Sequence, residues 1–119
     1  MQLRALRGAT TVEANEADAI LSATQELLRE VIERNGLTPD HLVSCIFTCT
    51  ADLDAEFPAV AAREIGLSAV PLLCAREIDV PGALPRVIRV MVHCYADGPP
   101  HHVYLRDAVS LRRDLEGAQ

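Results

Sequence analysis

Cys74 to Val92 reads C-A-R-E-I-D-V-P-G-A-L-P-R-V-I-R-V-M-V. Its second half, Val87 to Val92, is a β-branched and apolar run of the kind that forms a strand buried on both faces, yet Arg89 stands in its middle. A guanidinium stays charged at any physiological pH, and taking it out of water without a partner costs several kcal/mol. The strand therefore implies an anion held against Arg89, either a protein carboxylate such as Glu77 or a ligand. From this stretch alone, an internal Arg89–Glu77 ion pair that only holds the sheet together explains the pattern equally well.

Pro81-Gly82 marks a turn before that strand, and Val70 to Arg76 forms a shorter strand ahead of it, carrying Cys74. Further upstream, Pro58 to Gly66 has proline at the start and glycine at the end of a short helix, flanked by Phe57 and containing Arg63. Leu42 to Thr50 is a strand with Cys45 and Cys49, and Thr38-Pro39-Asp40 predicts one helical turn before it. From an N-cap at Asn15 to the C-cap pair Asn35-Gly36, apolar residues recur at helical spacing: Ile20, Leu21, Thr24, Leu27, Leu28, Val31 and Ile32. Gln2 to Gly8 alternates as a strand that Gly8 releases, which puts Arg7 at its C-terminal end, a common position for ligand-binding groups, although on this stretch alone an ordinary edge-strand arginine in solvent is the better reading. Downstream, Ala96 to Pro100 is a loop, His101 to Leu105 a strand bearing Tyr104, and the apolar residues of Ala108 to Asp114 imply a tail that docks. The pattern is α/β (α+β), with one long helix and short helical turns.

At 119 residues the chain has the length of one domain, 1–119, and with half its residues hydrophobic and few aromatic, its core is aliphatic. So much apolar surface on so small a domain predicts self-association. Seventeen acidic residues against eleven basic ones give a net charge of −6, which argues against nucleic acid and acidic membranes as partners. All eleven basic residues are arginine, so position rather than identity carries the information.

The four cysteines form no C-x-x-C pair and no apolar leader precedes the first strand, so reduced thiols in a cytoplasmic protein are expected. Cys45 and Cys49 share a strand face but stand roughly 13 Å apart, too far for a disulfide or a shared ion. His93-Cys94 and His101-His102 are neighbours on strands and point to opposite faces, so no metal site is expected. No window approaches the ~18 apolar residues of a membrane span.

Five segments in register resemble the AroH-type chorismate mutases, a trimeric α/β class: R-G-A-T-T-V-E at Arg7 to Glu13, T-x-D-L-x-A-x-F-P-A at Thr50 to Ala59, C-x-x-E at Cys74 to Glu77, I-R-V-M at Ile88 to Met91, and H-V-Y-L then A-V-x-L-R from His102 to Arg112. The resemblance implies a mixed sheet in each subunit, packed side by side into a pseudo-barrel homotrimer, with active sites between neighbouring subunits. It implies rearrangement of chorismate to prephenate in phenylalanine and tyrosine biosynthesis, without a cofactor. On the matching positions, Arg89, Glu77 and Arg7 would be the catalytic residues. Tyr104, Cys74, Arg63, Phe57 and Ala59 would contact substrate, and Leu111 and Arg112 would do so from a C-terminal segment, about 106–119, that closes over the site. Val60 departs from the family pattern, where lysine is frequent, as does Leu73, where threonine is frequent, and the loop Ala96 to Pro100 is short.

A concerted pericyclic shift requires no nucleophile and no proton transfer, so the missing catalytic motifs fit this reading. Two alternatives are weighed against it: a non-catalytic trimeric sensor of a carboxylate metabolite, and an imine or enamine deaminase on a similar trimer. The first leaves the Glu77 and Arg89 combination without a task, and the second leaves R-G-A-T-T-V-E and C-x-x-E unexplained.

Overall fold

The computed structural model describes residues 1–116, with side chains through Arg112. Five strands form one mixed sheet: β1 (Gln2–Thr11), β2 (Leu42–Cys49), β3 (Leu72–Arg76), β4 (Val87–Ala96) and β5 (Val103–Tyr104). Their spatial order is β3-β2-β4-β1-β5. β4 runs antiparallel to both β1 and β2, while β2–β3 and β1–β5 are parallel. Helices α1 (Ala17–Arg34), α2 (Pro58–Glu64) and α3 (Val109–Glu116), with 3-10 turns at Pro39–His41 and Arg106–Ala108, complete the chain. Among the described residues no helix is long and apolar enough to cross a membrane.

The apolar stripe of α1 packs on one sheet face, where Leu27, Leu28 and Val31 meet Leu6, Phe47, Val90, Val92 and Cys94. Asn35 and Gly36 end α1, with Gly36 in the left-handed region at φ 60°. The N-cap is Glu16 rather than the expected Asn15. Asn15 instead holds the segment before α2: its Oδ1 accepts the N–H groups of Asp54 and Ala55, and its Nδ2 donates to Asp54 Oδ1 at 2.7 Å.

Two expectations are corrected. β1 does not stop at Gly8 but continues to Thr11, so Arg7 lies mid-strand. Gly8 is there because α1 lies close: a Cβ at this position would stand 3.0 Å from Val90 Cγ1 and 3.1 Å from Leu27 Cδ1. β4 is central and apolar as expected, but it is not buried on both faces. Ile88, Val90, Val92 and Cys94 are buried beneath the helices, whereas the alternate residues Arg89, Met91, His93 and Tyr95 stand on the other, partly open face. Leu3, Ile46, Leu73 and Tyr95 leave that open face with exposed apolar surface.

Smaller differences follow from pairing partners. β4 runs on to Ala96 because Gln2 and Leu3 of β1 remain opposite it. β5 shrinks to two residues because only Gly8 and Ala9 pair with it. The tail does dock: Ala108 is fully buried, and Thr11 Oγ1 accepts the Asp107 N–H at 3.3 Å. It does so as a 3-10 turn and a helix. Residues 117–119 of the C-terminal segment, and the side chains of Arg113 and Asp114, lie outside the described residues.

Candidate active site

Register builds the centre of the site. Thr48 on β2 and Ala9 on β1 are the direct neighbours of Arg89 on β4, so all three side chains share the open face. The chain leaves β3 at Arg76, and the Glu77 N–H donates to Cys49 O at 3.0 Å, which fixes Glu77 beside the end of β2. Its carboxylate reaches back across the sheet. Oε2 accepts a hydrogen bond from Thr48 Oγ1, and Oε1 lies 3.2 Å from Arg89 Nε.

The Arg89–Glu77 contact is an ion pair without hydrogen-bond geometry at Nε, which is sealed from solvent and makes no hydrogen bond. Even so, 41% of the Arg89 side chain and 20% of that of Glu77 stay exposed. The guanidinium is thus pre-aimed rather than buried, with surface left for a second anion. A cavity of about 290 Å³ lies against it, lined also by Arg7 and Tyr104. Arg7 and Tyr104 come from neighbouring strands, with Tyr104 paired to Ala9 two residues beyond Arg7. Sequence reading missed Thr48; its position opposite Arg89 depends on a β2–β4 register that no local motif encodes.

The C-terminal segment meets the same centre from another side. Ser110 and Leu111 line a cavity of about 550 Å³ together with Glu77, Arg89 and the loop through Gly82. Leu111 is half-buried, while Arg112, one residue on in α3, is exposed.

The remaining candidate residues are placed elsewhere. Cys74 pairs in register with buried Phe47 and packs against the helix-side core, on the sheet face opposite Arg89. With the exposed ring of Phe57 it lines a separate cavity of about 340 Å³. Ala59 is only 4% exposed and belongs to the core that α2 makes with the sheet. Arg63 is exposed in the last turn of α2, where a cation complements the helix dipole. The structure therefore unites Arg7, Glu77, Arg89 and Tyr104, and Leu111 with Glu77 and Arg89, while Phe57 and Cys74 form a second group at another cavity.

All four thiols are free. Burial pushes Cys45 up to about 11 from 9.0, and Cys94 beside it adds to the effect. Burial, then the neighbouring Cys74, also raises Cys49. Neither of these two thiols is thereby activated as a nucleophile. Among the described residues no group of three His, Cys, Asp or Glu side chains could hold a metal ion.

Comparison with known proteins gives a consistent result. The profile of the family described as chorismate mutase type I matches residues 3–115. Chorismate mutase AroH of Thermus thermophilus is 54% identical over 98% of this chain and 99% of its own. Chorismate mutase AroH of Bacillus subtilis is 44% identical over 97% of this chain and 94% of its own. A solved chorismate mutase from Clostridium thermocellum superposes with a TM-score of 0.88 at 52% identity, covering 90% of this chain and 98% of that one.

Proposed function

Because the chain belongs to the type I chorismate mutase family, we propose that the cluster of Arg7, Glu77, Arg89 and Tyr104 is where it turns over its substrate. The protein is a chorismate mutase, an isomerase that rearranges chorismate to prephenate in aromatic amino-acid biosynthesis. The names of its relatives displace the sensor and deaminase readings.

The observation that carries the assignment is the Arg89–Glu77 pair, 3.2 Å apart at the wall of a cavity that also holds Arg7 and Tyr104. A pericyclic rearrangement needs its flexible substrate held in the compact reactive conformer, and it needs charge stabilised as the ether bond breaks ahead of carbon–carbon bond formation. Arg89 donates to the ether oxygen, where negative charge grows. Glu77 lies near the ring hydroxyl, on the side where positive charge grows. Arg7 and Tyr104 hold carboxylate. Thr48 holds Glu77 in place from behind, so the carboxylate is oriented before substrate arrives.

Phe57, Arg63 and Cys74 complete the site from a neighbouring subunit of a homotrimer, while Ala59 stays in the core. Cys74 orients the hydroxyl as a minor hydrogen-bonding group, and Leu111 and Arg112 close the cleft. Two observations favour this division. Phe57 and Cys74 line a different cavity from Arg89 and Arg7, so a complete site needs two copies facing each other. The open sheet face carries exposed Ile46, Leu73 and Tyr95, and such apolar surface is normally covered by another subunit. The chain works in the cytoplasm, on a small dianion that its net charge of −6 would repel, so the arginines must be gathered locally.

The deciding assay follows chorismate by ultraviolet absorbance with wild-type and Arg89→Ala proteins. Rapid loss to prephenate that the variant abolishes supports the site. An Arg89→Ala protein with wild-type turnover would remove Arg89 from the mechanism.

A further inference from the structure

His102 is a half-buried polar side chain at the edge of the site to which the chemistry above gives no task. Its approach is fixed from α1. Asn35 Oδ1 accepts the His101 N–H at 2.8 Å, and Asn35 Nδ2 donates to His101 O at 2.9 Å, clamping the main chain just before β5. The imidazole turns toward β1, where its Nδ1 accepts the backbone N–H of Arg7 at 3.0 Å.

Strand β5 has only Val103 and Tyr104, paired with Gly8 and Ala9. Beyond them the Leu105 N–H donates to Ala9 O at 2.9 Å. The His102 ring supplies a rung one place before the strand begins, where the β5 backbone does not pair. Arg7 and Tyr104, one on each strand, face the same cavity.

We propose that His102 is a positioning residue: by accepting the Arg7 N–H on Nδ1 it fixes the spacing between Arg7 and Tyr104 and so presets the carboxylate subsite. This rests on the reading of Arg7 and Tyr104 as carboxylate holders. The bond requires a neutral ring with its proton on Nε2, because a protonated Nδ1 would face one N–H with another. Burial, followed by the positive charges of Arg7 on β1 and His101 on its own segment, holds the His102 pKa below its usual 6.5. The ring is therefore neutral at physiological pH, and the rung is lost only as the solution becomes acid.

The test measures steady-state kinetics with chorismate for wild type, His102→Leu, His102→Asn and Arg7→Ala, with circular dichroism to check folding. Leucine fills the space without an acceptor, whereas asparagine offers Oδ1 close to where Nδ1 stood. His102→Leu raises KM roughly tenfold with a smaller change in kcat, the pattern of binding shared by ground and transition states. His102→Asn stays within about threefold of wild type. In wild type KM climbs as the solution is made acid beyond the usual imidazole value of 6.5, and in His102→Asn this climb is absent.

Folded His102→Leu with a wild-type KM overturns the proposal, as does His102→Asn impaired to the same degree as His102→Leu. If both variants fail to fold, the wild-type acid profile decides, and a KM that stays level over the whole acid range in which the protein remains folded overturns it. An Arg7→Ala protein with unchanged KM overturns instead the reading of Arg7 on which the proposal rests.

Discussion

Thr48 donates its hydroxyl hydrogen to Oε2 of Glu77, across 29 positions of sequence, and leaves Oε1 to face Arg89. A carboxylate held on one oxygen cannot rotate freely, so the orientation of Glu77 toward Arg89 is set in advance, and on the role proposed for Glu77 this presets it for substrate. Removing the hydroxyl should cost about 1 kcal/mol of that organisation, a roughly fivefold fall in kcat/KM for Thr48→Val. Thr48→Ser keeps a donor and restores most of the rate. Equal losses in both variants, measured by chorismate disappearance, would show that the methyl group rather than the hydroxyl matters.

Arg89→Lys is not a conservative change here. Lysine supplies a point charge of different reach in place of a planar fork, and on the role proposed for Arg89 it cannot both pair with Glu77 and meet the ether oxygen with the same geometry. Loss of a preorganised donor to developing negative charge costs ~3–4 kcal/mol, so kcat falls by about 10² to 10³. A lysine variant with near-normal kcat would place the stabilising group elsewhere.

Gly8→Ala destabilises the fold. Its Cβ would press on Val90, Leu27 and Val31 at 3.0, 3.1 and 3.3 Å, and these are core atoms with little room to retreat. Overpacking of this kind costs ~1–3 kcal/mol, read as a lower urea midpoint with an unchanged slope. An unshifted midpoint would mean that α1 rides further from the sheet than its contacts indicate.

The buried thiols weaken the fold in alkali. Cys45 titrates near 11 in the folded chain against an ordinary 9.0, because burial disfavours the thiolate. A raised folded value means that the folded state keeps its proton longer. The stabilisation is fully present below pH 9 and is lost as pH rises from 9 toward 11. The melting temperature should therefore drop over that window, and Cys45→Ala should flatten part of the drop. An identical alkaline profile in the variant would assign the loss to other groups.

Local patterning already contained most of this molecule. The 3.6-residue stripe from Ile20 to Val31 dictates an amphipathic helix, since only that period puts those side chains on one face. Gly36 and Gly66, in the left-handed region at φ 60° and 95°, end helices where the sequence puts them. The five segments from Arg7 to Arg112 name a family because their order is a property of the chain itself. Arg89 within an apolar run likewise demanded an anion, and Glu77 is there.

What the sequence could not supply is everything that depends on which strand lies beside which. Gly8 looked like a strand end because its reason for being glycine is the approach of Leu27 and Val31, which lie about twenty residues further on. Thr48 carries no local signal because its partner Glu77 reaches it only through the β2–β3 and β2–β4 pairings. β4 looked buried on both faces because composition reports how apolar a strand is, not whether a layer covers each side. His102 looked like a failed metal ligand because its acceptor role belongs to the β1–β5 edge, ninety-five positions away from Arg7. Periodicity, caps and turns are set by neighbours along the chain and can be read there. Register, layer and the facing of two side chains are set by long-range pairing, and only the folded sheet decides them.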